Sequence, residues 1–167
     1  MNRIAVFQKI SEQEFFKYIN EEASGMLESA DKIYEDIKLP KRATIGSAGY
    51  DFFAPFDFAL APGGTIKIPT GIRARINDGW VLMMFPRSGL GFKYRLQLNN
   101  TVGIIDSDYF FSDNEGHIMA KMTNCGDKIL IVKKGQGFAQ GVFVPFGITE
   151  DDNVTDIRNG GFGSTTK

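Results

Sequence analysis

His117 is the only histidine in the chain, so a Ser-His-Asp or Cys-His arrangement could be built only around it. A lone histidine in a strand is usually structural, and the sequence offers no cluster of three or four side-chain metal ligands. General-base work then falls to a carboxylate, and Asn99-Asn100-Thr101-Val102-Gly103-Ile104-Ile105-Asp106-Ser107-Asp108-Tyr109 offers one. This segment reads as a hairpin. Asn100 and the surrounding backbone can present paired donors and acceptors to a base edge, Asp106 closes the apolar run, and Tyr109 can stack on a sugar. Taken alone, it is an ordinary β-turn.

Four further segments carry polar groups in suggestive company. Phe85-Pro86-Arg87-Ser88-Gly89-Leu90-Gly91 joins a guanidinium, a hydroxyl and flexible backbone after an apolar strand, which is either a phosphate cradle or a turn with a solvated arginine. Ala48-Gly49-Tyr50-Asp51-Phe52-Phe53-Ala54-Pro55 sets a carboxylate in an apolar strand, where it needs a partner; it could orient water on a metal or hold a turn. Gly135-Gln136-Gly137-Phe138-Ala139-Gln140 places a side-chain amide at the start of a strand. The tail from Arg158 to Lys167 combines a cation, the Phe162 ring, glycines and the hydroxyls of Ser164, Thr165 and Thr166. It is too poor in apolar residues to fold alone. Either it is a frayed terminus, or it orders on a ligand with phosphates and a flat base.

The elements that must position these groups are mostly strands. Residues 3–8 read as an opening strand, and Ser11 with Glu14 forms a capping-box signature for a helix. Phe15, Ile19, Ala23, Met26, Ala30, Ile33 and Ile37 lay one apolar stripe along it until Leu39-Pro40, with Gly25 a point where it can break. From residue 48 the pattern changes to short β-like runs: 48–54, 58–60, 65–68, 72–76, 80–85, 93–98, 101–105, 117–122, 129–132 and 137–144. These predict a single all-β domain over 1–167, a sandwich, barrel or jelly roll with an N-terminal helical insertion at 11–37.

Composition narrows the partners. The chain has 167 residues, 43% of them hydrophobic, enough for one real core. Its 19 basic and 20 acidic side chains give a net charge of -1, so no field of one sign points to a nucleic acid or a membrane surface. Phosphate recognition must therefore be local. One cysteine, Cys125, excludes an internal disulfide framework and suits a reducing compartment. The opening MNRIAVFQKI lacks the long apolar stretch of a signal peptide, and no run is long enough to span a bilayer. The expectation is a soluble cytoplasmic protein.

In this order, AGYDFFA, PRSGLG, NNTVGIIDSDY, GQGFAQ and RNGGFGST resemble the five ordered motifs of the homotrimeric dUTPase family. The resemblance spans residues 48–165, with Thr166 where a closing glycine is usual. It implies a jelly-roll-like trimer with active sites at subunit boundaries and a tail closing over a site. It also implies hydrolysis of dUTP to dUMP and pyrophosphate with Mg2+, which limits uracil in DNA and supplies dUMP for thymidylate. By position, Asp106 matches the carboxylate that activates water. Asn100 with the backbone of Gly103 and Ile105 matches the uracil-reading turn, and Tyr109 the ring under deoxyribose. Arg87, Ser88 and Gly89 match the triphosphate-binding motif, while Asp51 and Gln140 match residues that steady the phosphates and, through water, the metal. Arg158, Phe162, Gly163 and Ser164 match the tail that contacts phosphate and stacks on the base.

Two departures accompany the match. Where the family usually turns tightly after Tyr109, Phe110-Phe111-Ser112-Asp113-Asn114-Glu115-Gly116 lengthens the connection. The insertion 11–37 is extra, and is expected to cover the core rather than reach a neighbouring subunit or bind a separate partner. A dCTP deaminase of the same fold is the alternative, and it would need a glutamate near the base; this segment offers only Glu115.

Overall fold

The computed structural model describes residues 2–22, 29–158 and 160. Along the chain lie β1 (Ala5–Lys9), α1 (Glu12–Glu22), α2 (Ala30–Glu35), β2 (Lys41–Arg42), β3 (Tyr50–Phe53), β4 (Phe58–Leu60), β5 (Thr65–Ile76) and β6 (Trp80–Pro86). They are followed by α3 (Ser88–Tyr94), β7 (Leu96–Leu98), β8 (Gly103–Ile105), a 3-10 helix (Ser107–Phe111), β9 (Ile118–Asn124), β10 (Leu130–Val132) and β11 (Gly137–Pro145). The strands form two main antiparallel sheets, ordered β1-β5-β9-β7 and β2-β3-β11-β6-β8, with β10-β4 as a small third.

Period-two burial makes these strands. In β9, Ile118, Ala120, Met122 and Asn124 are buried while Lys121 is exposed. The buried Asn124 is fully engaged: its amide donates to the carbonyls of Leu60 (2.9 Å) and Lys128 (2.8 Å), tying β9 to the small sheet. The two main sheets meet through aromatic rings. Phe7 of β1 packs edge-on against Phe52 of β3 at 5.7 Å, and against Tyr50 and Phe143 at 5.3 and 5.7 Å. Sequence neighbours such as β5 and β6, or β7 and β8, fall in opposite sheets, as jelly-roll connectivity requires.

The insertion splits into α1 and α2, with the expected stripe residues Ala23 and Met26 and the break at Gly25 outside the described residues. Phe15, Ile19, Ile33 and Ile37 all enter the same buried core as the strands. The capping box forms differently from its sequence signature. Ser11 Oγ accepts from the Glu14 N–H at 3.2 Å, but the Glu14 carboxylate pairs with Lys17. Glu115, distant in sequence, accepts from the Ser11 N–H at 2.8 Å and from its hydroxyl at 2.6 Å instead.

Three strand expectations change. Residues 65–68 and 72–76 are one strand, because a register shift between Pro69 and Ile72 absorbs the interruption. The run expected at 93–98 is a strand only over β7; α3 occupies its start until Arg95, whose left-handed φ of 50° ends the helix. The segment around Asn100 is not a hairpin. β7 pairs with β9 and β8 with β6, so Leu98 and Ile105 are buried in different sheets and the turn at 99–102 crosses between them.

His117 sits at the junction of insertion and sheet, fully buried, with Nε2 accepting from the Gly71 N–H at 3.0 Å and Nδ1 without a hydrogen-bond partner among the described residues. Burial pushes its pKa from 6.5 down to about 3. The unfolded chain binds this proton near 6.5 and the folded chain only near 3, so the stability is complete above 6.5 and falls as pH drops through that window. Each pH unit costs about 1.4 kcal/mol. Denaturant unfolding of wild type and His117→Gln between pH 7 and 4 tests this. The difference between the two should change with pH at that slope, and a pH-independent difference would refute it.

Candidate active site

The crossing turn builds the pocket. Thr101 adopts a left-handed φ of 67°, its N–H donating to the Leu98 carbonyl (2.9 Å) while the Val102 N–H donates to Asn100 (2.7 Å). Gly103 then lies opposite Met84 of β6, where a Cβ would stand 3.1 Å from the methionine Cβ. A larger residue there would fill the space beside the turn. The resulting cavity, about 260 Å³, is lined by Asn100, Gly103, Ile105, Tyr109 and Arg158, with Met84, Leu98 and Ile118 as apolar walls. Its size is below the roughly 300–1,000 Å³ of pockets for whole drug-sized ligands, so it suits one nucleoside-sized group rather than a complete nucleoside triphosphate.

Tyr109 presents its ring here from the 3-10 helix. Its hydroxyl donates to the His117 carbonyl (2.8 Å) and accepts from Asn114 Nδ2 (2.8 Å), and burial raises its pKa above the usual tyrosine value. The ring therefore stays neutral and fixed. Asp106 follows β8 directly and begins the 3-10 helix without a side-chain cap bond, leaving its carboxylate free for other partners. Arg158 takes that place: Nη2 donates to Asp106 Oδ2 at 2.5 Å and Nε to Asp108 Oδ1 at 2.8 Å, with the guanidinium 5.9 Å from the centre of the Tyr109 ring. Arg158, matched in sequence to a phosphate contact, thus pairs with two carboxylates.

A second cluster stands across β6. Asp51 of β3 is in register with Gln140 of β11, and Gln140 with Phe85 of β6, two residues before Arg87. Arg87 Nε lies 3.3 Å from Asp51 Oδ1, which gives the strand carboxylate its partner. Two glycines make room. A Cβ at Gly49 would stand 2.7 Å from Gln140 Oε1, and one at Gly137 would stand 2.8 Å from Arg87 Nη1. Ser88 and Gly89 open α3, whose leading N–H groups have no intrahelical acceptor, and nothing lies within 4 Å of where a Gly89 side chain would begin.

The fold thus brings together Asn100, Gly103, Ile105, Tyr109 and Arg158 as one group, with Asp106 at its edge, and Asp51, Arg87, Ser88, Gly89 and Gln140 as another. None of the second group lines the cavity. Phe162, Gly163 and Ser164 lie outside the described residues. Among the described residues no three His, Cys, Asp or Glu side chains gather as a metal cage. Met84, Leu98 and Ile118 escaped the sequence reading because buried apolar residues look alike before strand register is known. Asn114 escaped it, and Glu115 entered it only as the glutamate of the deaminase alternative, because their partners are Tyr109 and Ser11, contacts that only the folded loop creates.

A recessed pocket for one flat group, a carboxylate at its edge and a guanidinium-hydroxyl-amide cluster one strand away define a site for a phosphorylated nucleoside. Residues 35–166 match the dUTPase family. A deoxyuridine 5'-triphosphate nucleotidohydrolase from Lactococcus lactis is 45% identical over 132 residues, covering 77% of this chain and 88% of its own. One from Escherichia coli O9:H4 is 42% identical over 140 residues, covering 79% and 89%. The crystal structure of a dUTPase from Streptococcus mutans, 34% identical, superposes with a TM-score of 0.65 over 86% of this chain and 98% of that one. A dUTPase from phage phi11 of S. aureus shares the fold at 19% identity and a TM-score of 0.65, and coordinates a structural Mg(II) ion. The chain belongs to the dUTPase family.

The Asp51–Arg87 pair is partly exposed, with side-chain accessibilities of 18% and 44%, so it adds little to stability. It does fix where the Arg87 guanidinium lies. Asp51→Asn should shift the unfolding temperature by no more than about 4 °C. The same variant should raise the KM for dUTP severalfold. An unchanged KM, read from steady-state pyrophosphate release, would show that Asp51 does not orient Arg87.

Proposed function

We propose that this chain hydrolyses dUTP to dUMP and pyrophosphate, with Asp106 as the base that draws a proton from water attacking the α-phosphorus. The observation that carries this reading is the placement of Asp106 directly after the strand whose Gly103 and Ile105 line the pocket, with Tyr109 three residues on. Uracil would lie against the turn at Asn100, where packing beside Gly103 and Met84 would crowd a 5-methyl group, and Tyr109 would exclude a ribose 2′-hydroxyl by contact. The water oxygen bonds to the α-phosphorus as the bond to the bridging oxygen breaks. The proton passes to Asp106, and pyrophosphate leaves.

Positioning and charge neutralisation do most of such a catalysis, which is consistent with the small number of reactive side chains. Arg87, with the Ser88 hydroxyl and the leading N–H groups of α3, holds the polyphosphate. A magnesium ion bound with the triphosphate would supply further charge neutralisation. Oxygen donors on Asp51 and Gln140, side by side in register, would hold it through water, and among the described residues no three His, Cys, Asp or Glu side chains gather as a direct cage. Arg158 exchanges its carboxylates for phosphate when substrate enters, which releases Asp106. Phe162, Gly163 and Ser164 are the tail residues that would meet the base and the phosphates in this reading. Limiting uracil in DNA and supplying dUMP, in the cytoplasm, follow as the cellular role.

None of Asp51, Arg87, Ser88, Gly89 and Gln140 lines the nucleoside pocket, which is compatible with a homotrimer whose sites combine chains. A deaminase would need a free glutamate at the base. Glu115 is instead engaged with Ser11, and that hydrogen bond, the largest effect on it, lowers its pKa.

Pyrophosphate release should be far faster from dUTP than from dTTP, dCTP or UTP, and equal rates on all four would refute the reading. Asp106→Asn should abolish turnover while leaving dUTP binding largely intact, since shape is kept and basicity lost. Light scattering should report a trimer. Mixing Asp106→Asn chains with chains truncated after Ile157 should restore part of the activity, and no recovery despite subunit exchange would place each site within one chain.

A further inference from the structure

The lengthened connection after Tyr109 is held by contacts that an ordinary surface loop would not need. Its peptide groups bond internally, with the Ser112 N–H donating to Tyr109 (3.1 Å), the Glu115 N–H to Ser112 (2.8 Å) and the His117 N–H to Asn114 (3.0 Å). Asn114 Oδ1 accepts from the Gly116 N–H at 3.2 Å, while its Nδ2 donates to the Tyr109 hydroxyl. At Gly116 a Cβ would stand 2.8 Å from both the Phe110 Cα and the Tyr109 carbonyl oxygen, so the chain passes tightly behind the ring.

Glu115 itself has a left-handed φ of 56°, a conformation that a residue with a long side chain adopts at a cost. Such strain persists where surrounding contacts over-determine it. Here both carboxylate oxygens are taken, one by the Ser11 N–H and one by the Ser11 hydroxyl, whose oxygen also caps α1. From the same helix, Tyr18 packs edge-on against His117 at 5.3 Å, and Phe15 lies 6.2 Å from it. The His117 carbonyl accepts from Tyr109. Two routes therefore join α1 to the Tyr109 hydroxyl, one through Glu115 and Asn114, the other through His117.

We propose that Glu115 and Asn114 are positioning residues for Tyr109, making the helical insertion part of the device that selects the sugar. They touch no substrate. They hold the ring at the depth where it closes the pocket, and α1 supplies the fixed point from which they hold it. This rests on the reading that the pocket takes the deoxyribonucleoside of dUTP.

The test is a double-mutant cycle between Glu115→Ala and Tyr109→Phe, with dUTP and UTP as substrates. Each single variant should raise the KM for dUTP by about tenfold, the scale of one buried hydrogen bond lost, and lower the preference for dUTP over UTP by a similar factor. kcat should stay close to wild type in Glu115→Ala, and the double variant should match Tyr109→Phe rather than multiply the two effects, because Glu115→Ala removes one of the two routes that end at the hydroxyl. Asn114→Asp keeps the acceptor for Gly116 and replaces the donor to Tyr109 with a charged oxygen. It should repeat the effect with the loop intact, so a folding defect in Glu115→Ala does not leave the question open. Effects that multiply to about a hundredfold in the double variant, or an unchanged KM and selectivity in Asn114→Asp, overturn the proposal. Aromatic NMR of Tyr109 without nucleotide separates this from the parent reading. Faster ring motion in Glu115→Ala alongside a wild type that does not hydrolyse dUTP would overturn the function and keep the tether; unchanged ring motion would overturn the tether.

Discussion

The hydrogen bond from the Gly71 N–H to His117 Nε2 is the contact on which the rest of this structure depends. Gly71 lies in the irregular stretch of β5, with a φ of 70°. Its N–H turns away from the β5–β9 ladder to His117, its carbonyl accepts from the Ile10 N–H at 3.0 Å, and Thr70 Oγ1 donates to Ile118 at 2.6 Å while accepting from the Ile72 N–H. A side chain at 71 would collide with Ile37 and press on Phe15. The end of β1, both insertion helices and the start of β9 thus meet at one glycine. No other residue offers the φ and the clearance together.

From that junction two lines run to the site. One passes through the His117 carbonyl to Tyr109 and so to the pocket. The other follows β5 into the four-stranded sheet that carries β7, whose Leu98 forms a pocket wall. The five-stranded sheet supplies the rest, with β6 at the centre of the chemistry: it pairs with β8 on the side of Gly103 and with β11 on the side of Gln140. Because neighbouring strands lie about 4.8 Å apart, residues distant in sequence are brought to adjacent rows by register alone.

Much of this was legible in the sequence. Period-two burial and turn residues located most strands, and motif order identified the groups that could hold a nucleotide. What escaped was non-local. The capping signature of Ser11 and Glu14 was real at Ser11, but its second acceptor is Glu115, which no local pattern can indicate. The turn at Asn100 resembled a hairpin because two short apolar runs flank it; only pairing with β9 and β6 shows that it crosses between sheets. Residues 88–94 read as loop and strand because a glycine-rich helix of seven residues carries too short a periodic signal to distinguish.

Both guanidinium groups assigned to phosphate share one arrangement in the free chain: Arg87 rests on Asp51, and Arg158 on Asp106 and Asp108. Surface pairs of this kind are weak, because water screens them and side-chain freedom opposes them. A polyphosphate offers several charged oxygens at bidentate spacing, so it competes well for a guanidinium already turned toward the site. Exchange of a carboxylate for a phosphate avoids the cost of desolvating a bare cation. It also keeps the local field of the free chain near neutral, in line with a net charge of -1, so polyanions find little long-range attraction. In the proposed reaction the same exchange at Arg158 would uncover Asp106, coupling the availability of the proposed base to the arrival of the phosphates on which it would act.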